Sequence, residues 1–197
     1  AGSLTSVPSV HKIYWINDQD FLSFSEWEPF AVWQMNLYSN NTKRVFEEWR
    51  IFATAAVPNS RDLLLIAQPL SQPVWTKETP GFYKLNLETL NFSEKLGNAP
   101  HLERASLVFS PDGQQLLFGW RKNDKSTLQV VDPENGHVMF QLRESLSLTW
   151  LPNGEQLVGW RYDEENHLRA LVLVNPTDRE IKTLFTTNQI LYFTVIQ

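Results

Sequence analysis

The sequence predicts an all-β fold: a β-propeller of four-stranded antiparallel blades, with about four blades plus a fifth inner strand. Three observations carry this. First, the stretch from Leu107 to Leu117 runs into Pro111-Asp112-Gly113 and returns as a second apolar strand, and Leu148 to Val158 repeats it around Pro152-Asn153-Gly154. Proline presets φ for a turn and Asp/Asn-Gly tolerates positive φ, so each copy reads as a tight hairpin. Second, the registered turn positions Asn17, Pro58, Pro111 and Pro152 are spaced by 41, 53 and 41 residues, a period that points to propeller blades. Third, helical periodicity is poor, while the 197 residues include 8 Trp and 12 Phe, which suit strands. An immunoglobulin-like sandwich would also supply short strands and frequent turns, but not one Pro-Asx turn recurring on a blade period.

Taken in order, residues 1–9 are small and polar around Pro8 and read as an extended N-terminal segment. Residues 10–197 read as a single propeller-like domain with blades at 10–49, 51–96, 105–142 and 146–185. In the first blade Val10 to Trp15 is a strand, Asn17-Asp18-Gln19 a turn without the glycine, and Phe21 to Ser25 the returning strand. Each third strand ends in an Asx residue before a turn: Asn36, Asn86, Asp132 and Asn175. Such side chains accept hydrogen bonds from the backbone that follows them and so initiate turns. The fourth strands are Arg44 to Glu48, Phe92 to Leu96, His137 to Leu142 and Glu180 to Phe185.

The motif Ser110-Pro111-Asp112-Gly113, followed by a strand ending in Asp132, resembles the bacterial TolB-like propeller repeat, a relative of the WD-repeat family. Residues 107–142 match that pattern well and 148–185 match it with Leu151 for the serine and Asn153 for the aspartate. Residues 10–49 and 51–96 match weakly. The resemblance implies a fold rather than an activity, since similar repeats occur in periplasmic scaffolds and in propellers that gate peptidases. It leans towards an extracytoplasmic setting, periplasmic or secreted.

Phe193, 43 residues after Trp150, falls in register with the inner strands, so residues 189–197 are expected to form an extra strand. Four explanations stay open. The chain is a fragment of a longer propeller, a small ring of roughly four blades, half of a ring shared by two chains, or a form in which Ile190 to Ile196 pair with residues 3–9. Exposed sheet edges invite association, so a homodimer through an open blade edge is one expectation. No basic stretch followed by an apolar core marks a signal peptide, and Ala1-Gly2-Ser3, which begins without Met, reads as a cleavage scar or a processed end, so a lost signal or anchor stays open.

Composition narrows function. A net charge of −5 without a run of Lys or Arg disfavours nucleic-acid binding. No apolar run is long enough for a membrane-spanning helix. The chain has no cysteine, so thiolate chemistry and Cys-based zinc sites are excluded. His11, His101, His137 and His167 lack metal-ligand spacing, and no Gly-x-Ser-x-Gly elbow or phosphate-cradling loop occurs. No cofactor, metal or catalytic residue is expected.

The expected function is therefore a non-catalytic scaffold that binds a protein or peptide partner. The alternatives are the propeller portion of a larger peptidase or hydrolase, or a structural homo-oligomerisation module. The Pro-Asx-Gly hairpins share one face with the turns between third and fourth strands. The irregular connections between strands two and three, and between blades, lie opposite and are the candidate binding face. Its residues are Trp27, Trp49, Trp75, Arg121 and Tyr162, chosen because Trp and Arg dominate binding hot spots. Trp75 sits in the long segment from Gln68 to Pro80, read either as a semi-rigid finger or as a cover for the blade edge. Gly119-Trp120-Arg121 and Gly159-Trp160-Arg161 repeat at the ends of second strands, where each Trp is expected to pack between blades. Glu26, Glu28, Glu47, Glu48, Asp163, Glu164 and Glu165 read as a solvated acidic surface.

Overall fold

Asx side chains and a few left-handed residues set the phase of every strand. The computed structural model describes residues 12–25, 31–39, 41–70, 80–100, 102, 104–123, 125–142, 146–163 and 167–189. Among these, sixteen strands form four sheets and there is no helix. The chain divides into two compact units, residues 1–101 and 102–197.

Unit 1 holds two antiparallel meanders. The first is β1 (Lys12–Trp15), β2 (Asp20–Ser25), β3 (Ala31–Asn36) and β4 (Thr42–Val45). The second is β5 (Trp49–Ala56), β6 (Asp62–Pro69), β7 (Gly81–Asn86) and a two-residue β8 (Gly97–Asn98). In unit 2 the third sheet is β9 (Arg104–Phe109), β10 (Leu116–Lys122), β11 (Lys125–Val131) and β12 (Val138–Leu142). The fourth is β13 (Leu146–Trp150), β14 (Leu157–Asp163), β15 (Leu168–Asn175) and β16 (Glu180–Thr187).

The first hairpins solve one problem in three ways. In unit 2 the Gly113 and Gly154 amides donate to Ser110 O and Leu151 O, both at 2.9 Å, with φ of 76° and 72° at the glycines. The second sheet has Ser60 where the glycine would stand. It moves the positive φ one residue earlier, to Asn59 at 56°, the placement of a type II turn with proline before it. In the first sheet the closing bond is Ile16 N–H to Asp20 O, a turn one residue shorter. The Asn17 Oδ1 then accepts from the amides of Gln19 and Asp20, both at 2.8 Å, so no glycine is needed.

The Asx residues that end the third strands act as expected. Asn36, Asn86, Asp132 and Asn175 each accept from the backbone amide two residues on, at 2.8–3.1 Å. Four residues after the Asx, the chain turns left-handed at Leu90, Gly136 and Arg179. The polar clip continues across the sheet in unit 1, where Asn36 Nδ2 donates to Asp20 and Asn86 Nδ2 to Asp62, both at 2.9 Å.

Strand alternation then builds a core inside each unit. In unit 1, Leu22, Phe24 and Val32 of the first sheet pack on Leu63, Leu65, Tyr83 and Leu85 of the second. Tyr14 Oη lies 2.9 Å from Thr54 Oγ1, and the Lys12 ammonium donates to the Thr54 carbonyl, so β1 is bound to β5. In unit 2, Leu117, Val130 and Phe140 meet Leu148, Trp150, Leu157, Val172 and Val174. Trp150 is 1% exposed, and its indole N–H donates to Val108 O at 3.1 Å.

The second sheet departs from expectation at its fourth strand. Phe92 makes only an isolated bridge to Leu85, and regular pairing is confined to Gly97–Asn98 opposite Phe82 and Gly81. Between the two, the Lys84 amide donates to Ser93 Oγ at 2.9 Å in place of a strand carbonyl, and the Phe92 ring stacks on Trp49. Of the extra strand expected at 189–197, residues 190–197 lie outside the described residues, as do residues 1–9.

Candidate functional site

The sites expected from sequence fall into three groups. Trp27 and Trp75 lie outside the described residues. Trp49, expected in a connection between blades, instead opens β5 and pairs with Pro69. Its indole stacks on Phe92, with ring centroids 4.6 Å apart and planes at 6°, and meets the Tyr83 ring edge-on at 4.9 Å. That geometry commits it to packing within the second sheet.

Arg121 and Tyr162 make up the third group. Both were expected in loops and both belong to strands, because the second strands run further than the loops allowed for. Arg121 pairs with Ser126 and Lys122 with Lys125 across β10 and β11, leaving a connection of only two residues, in which Asn123 takes a φ of 50°. Tyr162 pairs with Arg169 across β14 and β15.

Around Tyr162 the side chains form a defined surface. Tyr162 is 40% exposed. The Arg169 guanidinium lies 6.0 Å from its centroid, at the limit of a cation–π contact. The phenol oxygen is 3.3 Å from His167 Nδ1, and His167 holds a φ of 52° where the chain enters β15. Registers place Trp160, Leu171 and Phe185 side by side on the same face as Tyr162. Trp160 meets the Phe185 ring edge-on at 5.6 Å, and Phe185 is 42% exposed. The result is a band of aromatic surface ending in a tyrosine, a cation and an imidazole. The Tyr162–Arg169–His167 grouping was only half visible in sequence, because strand register alone brings Arg169 opposite Tyr162.

The Gly-Trp-Arg repeat has a steric cause. A Cβ at Gly159 would sit 1.8 Å from the Ser147 carbonyl oxygen, and one at Gly119 would sit 2.6 Å from Ser106 Oγ. Gly159 lets the backbone of the first strand approach the second closely, whereas at Gly119 the space is taken by the side chains of Ser106 and Leu128. Ser110 is equally structural. Its hydroxyl donates to Asp112 at 2.6 Å and accepts from the Gln115 amide at 2.9 Å, and the residue is wholly buried. The Ser110 hydroxyl and the Gln114 amide hold the Asp112 carboxyl below the usual carboxylate range, and the Asn36 and Asn17 amides do the same for Asp20.

Two open grooves lie in unit 1. One, of about 520 Å³, is lined by Trp15, Asn17, Asp18 and Arg61. The other, of about 440 Å³, carries Glu47 and Glu48 beside Lys43 and Arg44, so that part of the expected acidic surface is mixed in sign. Among the described residues no three His, Asp or Glu side chains converge as a metal site, and no helix is long and apolar enough to cross a membrane.

No family model matches the sequence, and no curated protein matches it by sequence. Solved structures do match. TolB from Acinetobacter baumannii aligns with a TM-score of 0.60 at 14% identity, over 91% of this chain and 44% of that one. The β-propeller domain of the Trilobed protease from Pyrococcus furiosus aligns with a TM-score of 0.54 at 16% identity, over 89% of this chain and 57% of that one. The fold is that of a TolB-like β-propeller. Pyrococcus horikoshii acylaminoacyl peptidase also aligns, with a TM-score of 0.58 at 15% identity, over 94% of this chain and 34% of that one. The chain thus spans between about a third and somewhat over half of the length of these proteins. At such identities the likeness extends to fold alone.

Proposed function

We propose that the chain is a non-catalytic propeller module that binds a protein or peptide partner at the ends of its second strands and the connections beyond them. The observation that carries this reading is the surface at Tyr162. An exposed ring with a flanking guanidinium, set on paired strands, is the composition found at binding hot spots. Its backbone is fixed by the β14–β15 ladder, so little conformational entropy is lost when a partner docks. The reading requires no cofactor or metal.

Photo-crosslinking tests it. A benzoylphenylalanine at position 162 is expected to form an adduct with a heterologous protein or peptide, and the same probe at Asn153, in the β13–β14 turn, is not. Arg169→Ala should diminish the adduct. Equal adducts at both positions would remove the support, and a self-adduct would assign the surface to a second copy of the chain.

A second reading, the propeller portion of a larger peptidase or hydrolase, is favoured by the alignment of nearly the whole chain with a third of an acylaminoacyl peptidase. A parent reading frame encoding a Gly-x-Ser-x-Gly segment followed by a later histidine would decide for it.

A further inference from the structure

The turns that lead into β2 and β6 border the open groove of about 520 Å³ lined by Trp15, Asn17, Asp18 and Arg61. We propose that this groove binds an acidic peptide segment, taking a side-chain carboxylate on Arg61 and a neighbouring ring on Trp15. The inference stands apart from the Tyr162 surface and does not depend on it.

Its walls are fixed before any ligand arrives. Asn17 spends its carbonyl on the amides of Gln19 and Asp20 and its N–H on the Asp20 carboxylate at 3.0 Å, so the first turn is held from within. Arg61 reaches across from the second sheet and donates to Ile16 O at 3.3 Å, which ties the two turns together. The Trp15 indole meets the Phe21 ring edge-on at 5.2 Å, yet the residue is 52% exposed. An oriented, half-open indole face is a platform for an aromatic or proline ring.

The charge of the groove selects the rest of the ligand. Arg61 has a carboxylate neighbour, Glu88, but at 3.8 Å from Nε and with both side chains more than half exposed. A long, exposed pair of this kind contributes little. A ligand carboxylate that approaches the guanidinium with two parallel hydrogen bonds makes the stronger contact and displaces it. Glu88 is then a built-in competitor for the ligand's acid. Asp18 in the lining accepts a peptide N–H and repels a doubly charged phosphate more strongly than a single carboxylate, which favours a peptide carrying one acid over a phosphorylated ligand. The chain's net charge of −5 repels an acidic partner at long range, so recognition rests on these contacts and added salt screens the repulsion.

The test is an NMR titration of the full chain with three acetylated, amidated tripeptides: Phe-Glu-Gly, Phe-Gln-Gly and Ala-Glu-Gly. Phe-Glu-Gly is expected to shift the Trp15 indole N–H and the Arg61 Nε–H saturably. Replacing its Glu or its Phe should weaken binding about tenfold in each case. Glu88→Gln, an exposed substitution that leaves the fold intact, should tighten Phe-Glu-Gly about two- to threefold by removing the competitor. Arg61→Gln should abolish the preference for Glu over Gln. The proposal is overturned if the shifts do not saturate, if Phe-Gln-Gly binds as tightly as Phe-Glu-Gly, if Glu88→Gln weakens binding, or if inorganic phosphate competes as well as the peptide.

Discussion

Substituting alanine at Gly159 tests the packing of first strand against second more sharply than any other single change. The added methyl carbon would lie 1.8 Å from the Ser147 carbonyl oxygen and 2.7 Å from its carbon. A relaxed carbon–oxygen contact needs about 3.3 Å, so β13 must retreat by about 1.5 Å. That retreat pulls Leu148 and Trp150 out of the unit 2 core and breaks the pairing of Leu148 with Gly159. Overpacking and the loss of a ladder hydrogen bond together cost about 2–4 kcal/mol. Two other glycines calibrate the result. At Gly119 the obstacles are side-chain atoms, Ser106 Oγ and Leu128 Cδ2, which can rotate away, so Gly119→Ala should cost about 1–2 kcal/mol. At Gly97 nothing lies within 4 Å, and Gly97→Ala should stay within about 0.5 kcal/mol of the parent. Urea unfolding followed by circular dichroism reads the order directly, with a midpoint drop of about 1–2 M expected for Gly159→Ala. If Gly159→Ala and Gly97→Ala unfold at the same midpoint, the close approach of β13 to β14 is wrong.

Two further outcomes follow from the turns. Asp20 and Asp112 have folded pKa values held below their unfolded ones, so their stabilisation is present above the unfolded value of about 3.9 and is lost as pH falls through the lower folded value. Asp20→Asn should flatten the acid limb of stability measured by urea midpoints across that window, and an unchanged slope would contradict the hydrogen bonds assigned to the carboxylate. Arg179 is exposed and left-handed, with φ of 59°, so Arg179→Gly should raise stability by about 1 kcal/mol, read as a higher urea midpoint, whereas a loss would show that its side chain carries hidden contacts.

The sheets were legible because the punctuation of the chain is chemical. Pro111-Asp112-Gly113 and the Asx residues at 36, 86, 132 and 175 name their own hydrogen bonds, and the structure uses them as the sequence implies. Even the degenerate copies were placed, although the sequence could not say how they dispense with glycine. Asn59 does it through its own positive φ, and Asn17 through a turn shortened by one residue. Leu90 and Arg179 stayed hidden, since nothing in a leucine or an arginine announces a left-handed backbone.

The candidate site was harder to read, because binding surfaces arise from register. Trp49 looked like a free aromatic in a connection, and only the inward turn of Phe92 shows it to be packed. Tyr162 was found from sequence, but Arg169 and His167 join it through the β14–β15 pairing. The groove at Trp15 and Arg61 lies at the hairpin turns rather than at the connections that the sequence singles out. It combines residues 46 apart, and no local pattern links them.

The most direct test of the account measures the dissociation constant, by calorimetry, of the partner captured at position 162. Tyr162→Ala should weaken it at least about tenfold, as expected when a hot-spot ring is removed, while Trp49→Phe, a change inside the second sheet, leaves it unaltered. The partner should be recovered from the complex with its mass unchanged. An equal loss of affinity in both variants, or a partner returned cleaved, would contradict the claim that this propeller binds without catalysis through the ends of its second strands.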